Sequence, residues 1–463
     1  MIVQLDEVSL PEFGLPTVEP EIPVATYQAR IQAAREAAKA AGYDVLVVYG
    51  DKEHFANLSY LTGYDPRFEE ALLILSEARD PALVVGVEGW SYSLISKISL
   101  NRILYGSFSL MAMPRADKPM LEKILRDEGI GEGSRVGVVG WKYFETFETP
   151  TAELWLDTPA FIVDTLREIV GDKSKVVNAT ALFMNPVDGF RIVNDLDQLA
   201  AFEFAATHAS QSLRNVFFGL MPGMTEYEAV RLMGLNGMPL NVHPMLSVGE
   251  RAWWGLPSPS MRVIQLGDAL TMAVGFRGGL SARAGFVVRE ASDLPHDIQD
   301  YVDRLVAPYY AAMVAWYERV GIGVTGGELH EIIRSRIGDP FFGVQLNAGH
   351  YIHLDEWVHS PVAKDSTISL KSGMALQVDV IPATGSRHFT SNIEDGIALA
   401  DEGLRADFER KYPEAWGRIT ARRRFMENKL GIFLKPEVMP FSNIPAYIVP
   451  FLLSPHRALR VVR

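Results

Sequence analysis

Asn347-Ala348-Gly349-His350, His359-Ser360-Pro361, Gly373-Met374-Ala375-Leu376-Gln377-Val378-Asp379 and Asn392-Ile393-Glu394-Asp395-Gly396 follow one another near the C-terminal end of the chain. Histidines and carboxylates recur there between short apolar runs. Over residues 375–381 a two-residue alternation puts Ala375, Gln377, Asp379 and Ile381 on one face of a strand, with Leu376, Val378 and Val380 on the other. The same rule puts Asn392 and Glu394 on one face of the next strand. Adjacent strands lie about 4.8 Å apart, so Asp379 and Glu394 are expected to share a pocket with His350. That is an active-site pattern: imidazole is the group poised near neutral pH for proton transfer.

The 463 residues around this stretch exceed one ordinary core and predict two domains. With 48% hydrophobic residues there is ample material to pack both. The formal net charge of −13 argues against a nucleic-acid partner. The absence of cysteine excludes disulfides, thiolate metal sites and a cysteine nucleophile, and fits a reducing compartment. The acidic start, Met1-Ile2-Val3-Gln4-Leu5-Asp6-Glu7, lacks the basic and apolar regions of a signal peptide. The longest apolar runs are too short to span a bilayer. The expectation is a cytoplasmic protein with no membrane partner.

In chain order, residues 1–25 read as an irregular arm rich in proline and acids. Residues 26–177 alternate strand candidates at 44–49, 70–75, 82–87 and 135–139 with helical segments at 25–41, 120–126 and 161–170, an α/β pattern. Residues 178–194 mix Asn, Pro and Gly and read as a linker. A long helix over 195–220 carries Leu196, Leu199, Phe202, Ala206, Ala209, Leu213 and Phe217 at helical spacing. Thr225 and Glu228 form a capping box for the next helix. Strands are expected at 243–249, 269–276 and 284–289, and helices at 297–321, 326–337 and 405–429. Residues 195–430 make the second domain, and residues 431–463 a tail packed on it.

This ordering resembles peptidase family M24, whose fold is called pita-bread, with a creatinase- or prolidase-type N-terminal domain. The carriers are Asn57-Leu58-Ser59-Tyr60-Leu61-Thr62-Gly63, Gly223-Met224-Thr225-Glu226, Gly349-His350, His359-Ser360-Pro361, Gly373-Met374 and Ile393-Glu394-Asp395. The resemblance covers residues 25–430 and implies an α+β architecture, a homodimer and a small-molecule substrate. Metalloenzymes of the family hold two divalent ions with two Asp, one His and two Glu. Carried over residue by residue, the His falls on His350, the first Glu on Asp379 and the second on Glu394. The first Asp falls on Ala273. The second falls within Leu280-Ser281-Ala282-Arg283-Ala284, where no carboxylate stands and Arg283 sits in or beside the gap.

The resemblance therefore leads first to a metal-free hydrolase of a C–N bond in a small polar nitrogen compound, as in creatinase. Arg283 would replace the metal charge by pairing with Glu394 or Asp379, or would bind a substrate carboxylate. His350 or His359 with Glu394 or Asp379 would activate water. A site with one divalent ion (Mn, Co or Zn) on His350, Asp379 and Glu394, serving an Xaa-Pro peptidase, is the alternative. A binding protein without catalysis is a third reading, favoured by the loop Arg251-Ala252-Trp253-Trp254-Gly255-Leu256-Pro257, which lacks the histidine creatinase uses there. Arg67, Trp253, Trp254 and His353 complete the expected substrate contacts. Each also has a plainer reading: Arg67 as a domain or dimer ion pair, the tryptophans as packing or dimer contact, His353 as a structural residue.

Overall fold

The structure is a computed structural model that describes residues 1–463. It begins with strand β1 (Ile2–Glu7), and the chain then divides into two compact units, Ile22–Arg191 and Met1–Glu21 with Ile192–Arg463. The boundary expected at residues 178–194 thus falls at its far edge. That stretch is not a bare linker, because Ala181–Met184 is helical and Phe183 and Met184 are buried in the Ile22–Arg191 unit.

The Ile22–Arg191 unit is built on six strands: β2 (Val45–Gly50), β3 (Ala71–Ser76), β4 (Ala82–Val85), β5 (Asn101–Leu104), β6 (Val136–Val139) and β7 (Val176–Asn178). Their order is β5-β4-β3-β2-β6-β7, with antiparallel pairs around β3 and parallel pairs elsewhere. Val/Leu runs such as Val45-Leu46-Val47-Val48 are closed to solvent on both faces, as a sheet covered by helices requires. One cover is the amphipathic helix Ala160–Val170, which turns Ile162, Leu166 and Ile169 into the core.

The other unit is organised by an antiparallel sheet: β8 (Leu240–Val248), β9 (Ala269–Phe276), β10 (Gly279–Phe286), β11 (His350–Tyr351), β12 (Ala375–Val380), β13 (Asn392–Leu399) and β14 (Val438–Pro440). The order is β11-β12-β13-β10-β9-β8, and β14 also pairs with β13. The helix Leu196–Gly219 packs on the β9–β10 hairpin through Leu199, Phe202, Ala206 and Ala209, on the spacing the sequence shows. Asp195 caps its first turn by accepting from Gln198 N. Glycine is needed where they meet: a Cβ on Gly279 would come within 2.3 Å of Ala206 N, and one on Gly278 within 2.5 Å of the Phe202 ring. The capping box of Thr225 and Glu228 forms as expected.

Four expectations are corrected. The arm is not wholly irregular, since β1 pairs antiparallel with β15 (Arg457–Val462), uniting the two ends of the chain. The strand expected over 284–289 starts earlier, at Gly279, because the turn at Arg277 and Gly278 closes a tight hairpin with β9. The helix expected from residue 297 is a π turn, Val302–Val306, leading into an α-helix, Ala307–Arg319. The expected 405–429 helix is two, Glu402–Lys411 and Pro413–Phe425, because Pro413 cannot continue the hydrogen-bond ladder of the first.

Candidate functional site

One register row of the sheet forms the floor of the site. Asp379 on β12 stands opposite Glu394 on β13, Glu394 opposite Ala282 on β10, and Ala282 opposite Ala273 on β9. Paired positions share a face, so two carboxylates and two alanines lie in one strip. His350 on β11 pairs with Gln377, two residues before Asp379, and joins the same face. The sequence alternation places these three side chains together as expected.

A cavity of about 590 Å³ opens over this face. Met245, Leu256, Leu346 and Ile381 give it apolar walls, and Trp253, Trp357 and Phe389 give it aromatic ones. Asn392 and Thr271 add polar contacts, and the charged side chains lining it are Glu356, Asp379 and Glu394. No lysine or arginine lines it. Phe389 is a buried non-glycine residue at φ 63°, a strained conformation of the kind that collects at functional sites. Its ring meets Trp253 edge-on at 5.1 Å.

His350 is fully buried. Nδ1 lies 3.2 Å from the Tyr351 carbonyl oxygen; in the tautomer carrying its proton there, that proton is donated to the carbonyl and the Nε2 lone pair is left for the cluster. Nε2 lies 3.2 Å from Glu356 Oε1, 3.8 Å from Asp379 Oδ2 and 4.0 Å from Glu394 Oε1. The imidazole stacks on Trp357 at 4.1 Å. Burial alone would pull the His350 pKa down, but the carboxylates of Glu356, Glu394 and Asp379 outweigh it and push it up to about 10. Burial, then the neighbouring Asp379, raise Glu394. Burial also raises Asp379, against the pull of His350 and with Glu356 adding to the rise. The cluster is short of positive charge.

One ligand atom each from His350, Asp379 and Glu394 lies within 4.8 Å of the other two. Asp379 Oδ1 is buried and makes no hydrogen bond, and buried His350 Nε2 has only carboxylate oxygens beside it, the nearest being Glu356 Oε1 at 3.2 Å; one cation would satisfy the nitrogen and the Asp379 carboxylate together. Imidazole with carboxylates suits Mn, Co or Zn. The three residues offer ligands for one ion, and Ala273 and Ala282, which continue the same row, carry only methyl groups.

Arg283 is not in this site, which corrects the expectation that it replaces a metal charge or binds substrate. It pairs with Ile393 and Met272 across the strands, on the opposite sheet face from Glu394. Buried there, its Nη2 donates to Asp395 Oδ2 at 2.7 Å and to the Ile444 carbonyl. Its Nε and Nη1 donate to the carbonyls of Tyr447, Ala282 and Glu394. Asp395 Oδ2 also accepts from Ala446 N.

The other candidates divide. Trp253 lines the cavity, whereas Trp254 does not and is 67% exposed. His359 is not on the wall; its Nδ1 lies 3.2 Å from the Ser360 carbonyl, and its backbone pairs with Tyr351. His353 is buried edge-on against Phe202, a core position. Arg67 belongs to the Ile22–Arg191 unit, where its Nε donates to Tyr92 Oη and lies 3.4 Å from Asp65. Sequence reasoning missed Glu356, Trp357 and Phe389. The only signal for Glu356 is an acid six residues after His350.

No family model and no curated protein matches the chain. Solved structures do. Dipeptidase PepE from Mycobacterium ulcerans superposes at TM-score 0.60 and 19% identity, covering 82% of this chain and 95% of its own. Xaa-Pro dipeptidase from Bacillus anthracis gives 0.59 at 16%, covering 81% and 96%. A variant of Escherichia coli aminopeptidase P gives 0.53 at 15%, covering 87% and 99%. The chain has the fold of these enzymes, the M24 pita-bread fold with its preceding α/β domain.

Proposed function

We propose that the chain is a hydrolase of amide-type C–N bonds, working in the acid-lined cavity with one divalent ion held by His350, Asp379 and Glu394. The observation that carries this reading is the convergence of one ligand atom from each of three buried residues within 4.8 Å. The fold of the solved dipeptidases agrees with it. A bound Mn, Co or Zn ion would supply Lewis acidity at neutral pH.

The chain's own residues do the rest. With the ion bound, the Tyr351 carbonyl 3.2 Å from Nδ1 would hold the His350 tautomer whose Nε2 lone pair faces the cluster. A carboxylate oxygen of Glu394 that the ion leaves free would take the proton released when water attacks. Asn392, buried on the same strand face as Glu394, would donate its side-chain amide to a substrate carbonyl. The apolar walls would hold the body of the substrate and keep bulk water from the reacting atoms.

A metal-free reaction is the second reading. It is favoured by Glu356 lying 3.2 Å from His350 Nε2, since an imidazolium could supply the charge instead. A panel of amides and dipeptides, incubated with chelator-treated protein before and after adding Mn, Co or Zn, tests both. Hydrolysis that depends on metal and is lost in Glu394→Gln supports the first reading. Hydrolysis untouched by chelation supports the second, and no hydrolysis under either condition sinks both.

A further inference from the structure

We propose that the cavity selects a substrate with a protonated amine at one end and an apolar body, and that Glu356 is the residue that recognises the amine. This rests on the hydrolytic reading above and names the substrate class for it. Every charged side chain on the cavity wall is acidic. The one arginine in the adjoining strands, Arg283, is tied to Asp395 on the opposite sheet face. A ligand carrying a free carboxylate would find no side-chain cation on the wall, and a desolvated carboxylate without a partner is unfavourable.

An ammonium group finds the reverse. Glu356 stands outside the set of three ligand residues. It is also the most accessible of the three acids, at 27% side-chain exposure against 5% for Asp379 and 9% for Glu394. Its Oε1 lies 3.2 Å from His350 Nε2, and an ion held at that nitrogen would release Glu356 to meet an incoming ammonium while the other two acids hold the ion. Trp253, Trp357 and Phe389 line the same cavity, and aromatic rings attract an ammonium as well as an apolar body. The volume of about 590 Å³ accommodates a ligand of arylalkyl-amine size.

The test uses three probes of one shape and different heads: phenylbutylamine, phenylbutanol and phenylbutyrate. Each is titrated calorimetrically into the full chain, both stripped of metal and loaded with zinc. The amine is expected to bind at least about tenfold more tightly than the alcohol, the scale of a charge-assisted contact. The carboxylate should bind most weakly to the stripped protein. Glu356→Gln should bring the amine to within about twofold of the alcohol and leave the alcohol unchanged; an unchanged melting temperature shows that the variant is folded, and Glu356→Asp should keep part of the preference.

Carboxylate binding equal to or tighter than amine binding in both forms overturns the proposal. So does an amine preference that survives Glu356→Gln, or no measurable binding of any probe. These readouts need no turnover. If the amine preference holds while no amide is hydrolysed, the hydrolytic reading falls and the recognition of the amine stands. If hydrolysis occurs only with neutral or anionic amides, the reverse is true.

Discussion

Glu394 and Asp395 are neighbours on one strand, 7% and 1% exposed, yet they live in opposite electrostatic worlds. Strand alternation turns Glu394 to the cavity, where it faces Asp379 and stands 4.0 Å from His350. It turns Asp395 to the other side of the sheet, onto Arg283 at 2.7 Å. One carboxylate is compensated within the fold, with Asp395 also accepting the Ala446 amide. The other is buried beside a second acid and left to a histidine. Burial of a charge is tolerated for structure when its partner is built in; where the partner is missing, something from outside is expected to bring it.

The largest effect should come from breaking the compensated side. Arg283→Met leaves Asp395 buried and unpaired, which should cost about 3–5 kcal/mol of stability. Urea unfolding measures it, and a loss below about 1 kcal/mol would mean the pair is not what holds that face together. Adding Asp395→Leu to Arg283→Met should recover much of the loss, since two apolar groups leave no charge stranded.

The uncompensated side should respond in the opposite sense. In metal-stripped protein at pH 8, Asp379→Asn should leave stability unchanged or raise it by on the order of 1 kcal/mol, because it removes one of three repelling acids. The same variant should lose at least about 100-fold in metal-dependent hydrolysis, as removal of a ligand demands. A destabilisation as large as that of Arg283→Met would erase the distinction between the two faces.

The pH dependence sharpens the contrast further. His350, Asp379 and Glu394 all hold protons more tightly in the folded chain than their ordinary values imply. The folded state therefore binds more protons than the unfolded one above those values, and stability falls as pH rises. For His350 the interval runs from 6.5 to about 10. Metal-stripped protein should lose urea resistance steadily across it, and Asp379→Asn should flatten the slope. A flat profile in the unmodified chain would mean the cluster does not hold its protons. The smallest effect belongs to Trp254→Ala, within about 0.5 kcal/mol in stability and without change in hydrolysis, whereas Trp253→Ala should weaken binding of an aromatic-bodied substrate.

Which parts of this were legible in the sequence follows from the range of each signal. Two-residue alternation is local, so it assigned Asp379 and Glu394 to a common face before any pairing was known. The helix Leu196–Gly219 and the Thr225 cap were legible for the same reason. Arg283 was misread because its face depends on where β10 begins. With the strand expected from residue 284, residue 283 had no assigned side; the turn at Gly278 moves the start to Gly279 and turns Arg283 away from the cavity. Glu356 lies in an irregular turn without periodicity, and only the fold brings it to His350. The β1–β15 pair joins residues at opposite ends of the chain, where neither segment carries a trace of the other.

Zinc titration of the chelator-stripped full chain tests the central claim most directly, with His350→Ala and Asp379→Asn alongside. One ion per chain in the unmodified protein, and none in either variant, is the predicted result. Two ions per chain, no uptake at all, or uptake unchanged in both variants would contradict a single-ion site built from His350, Asp379 and Glu394.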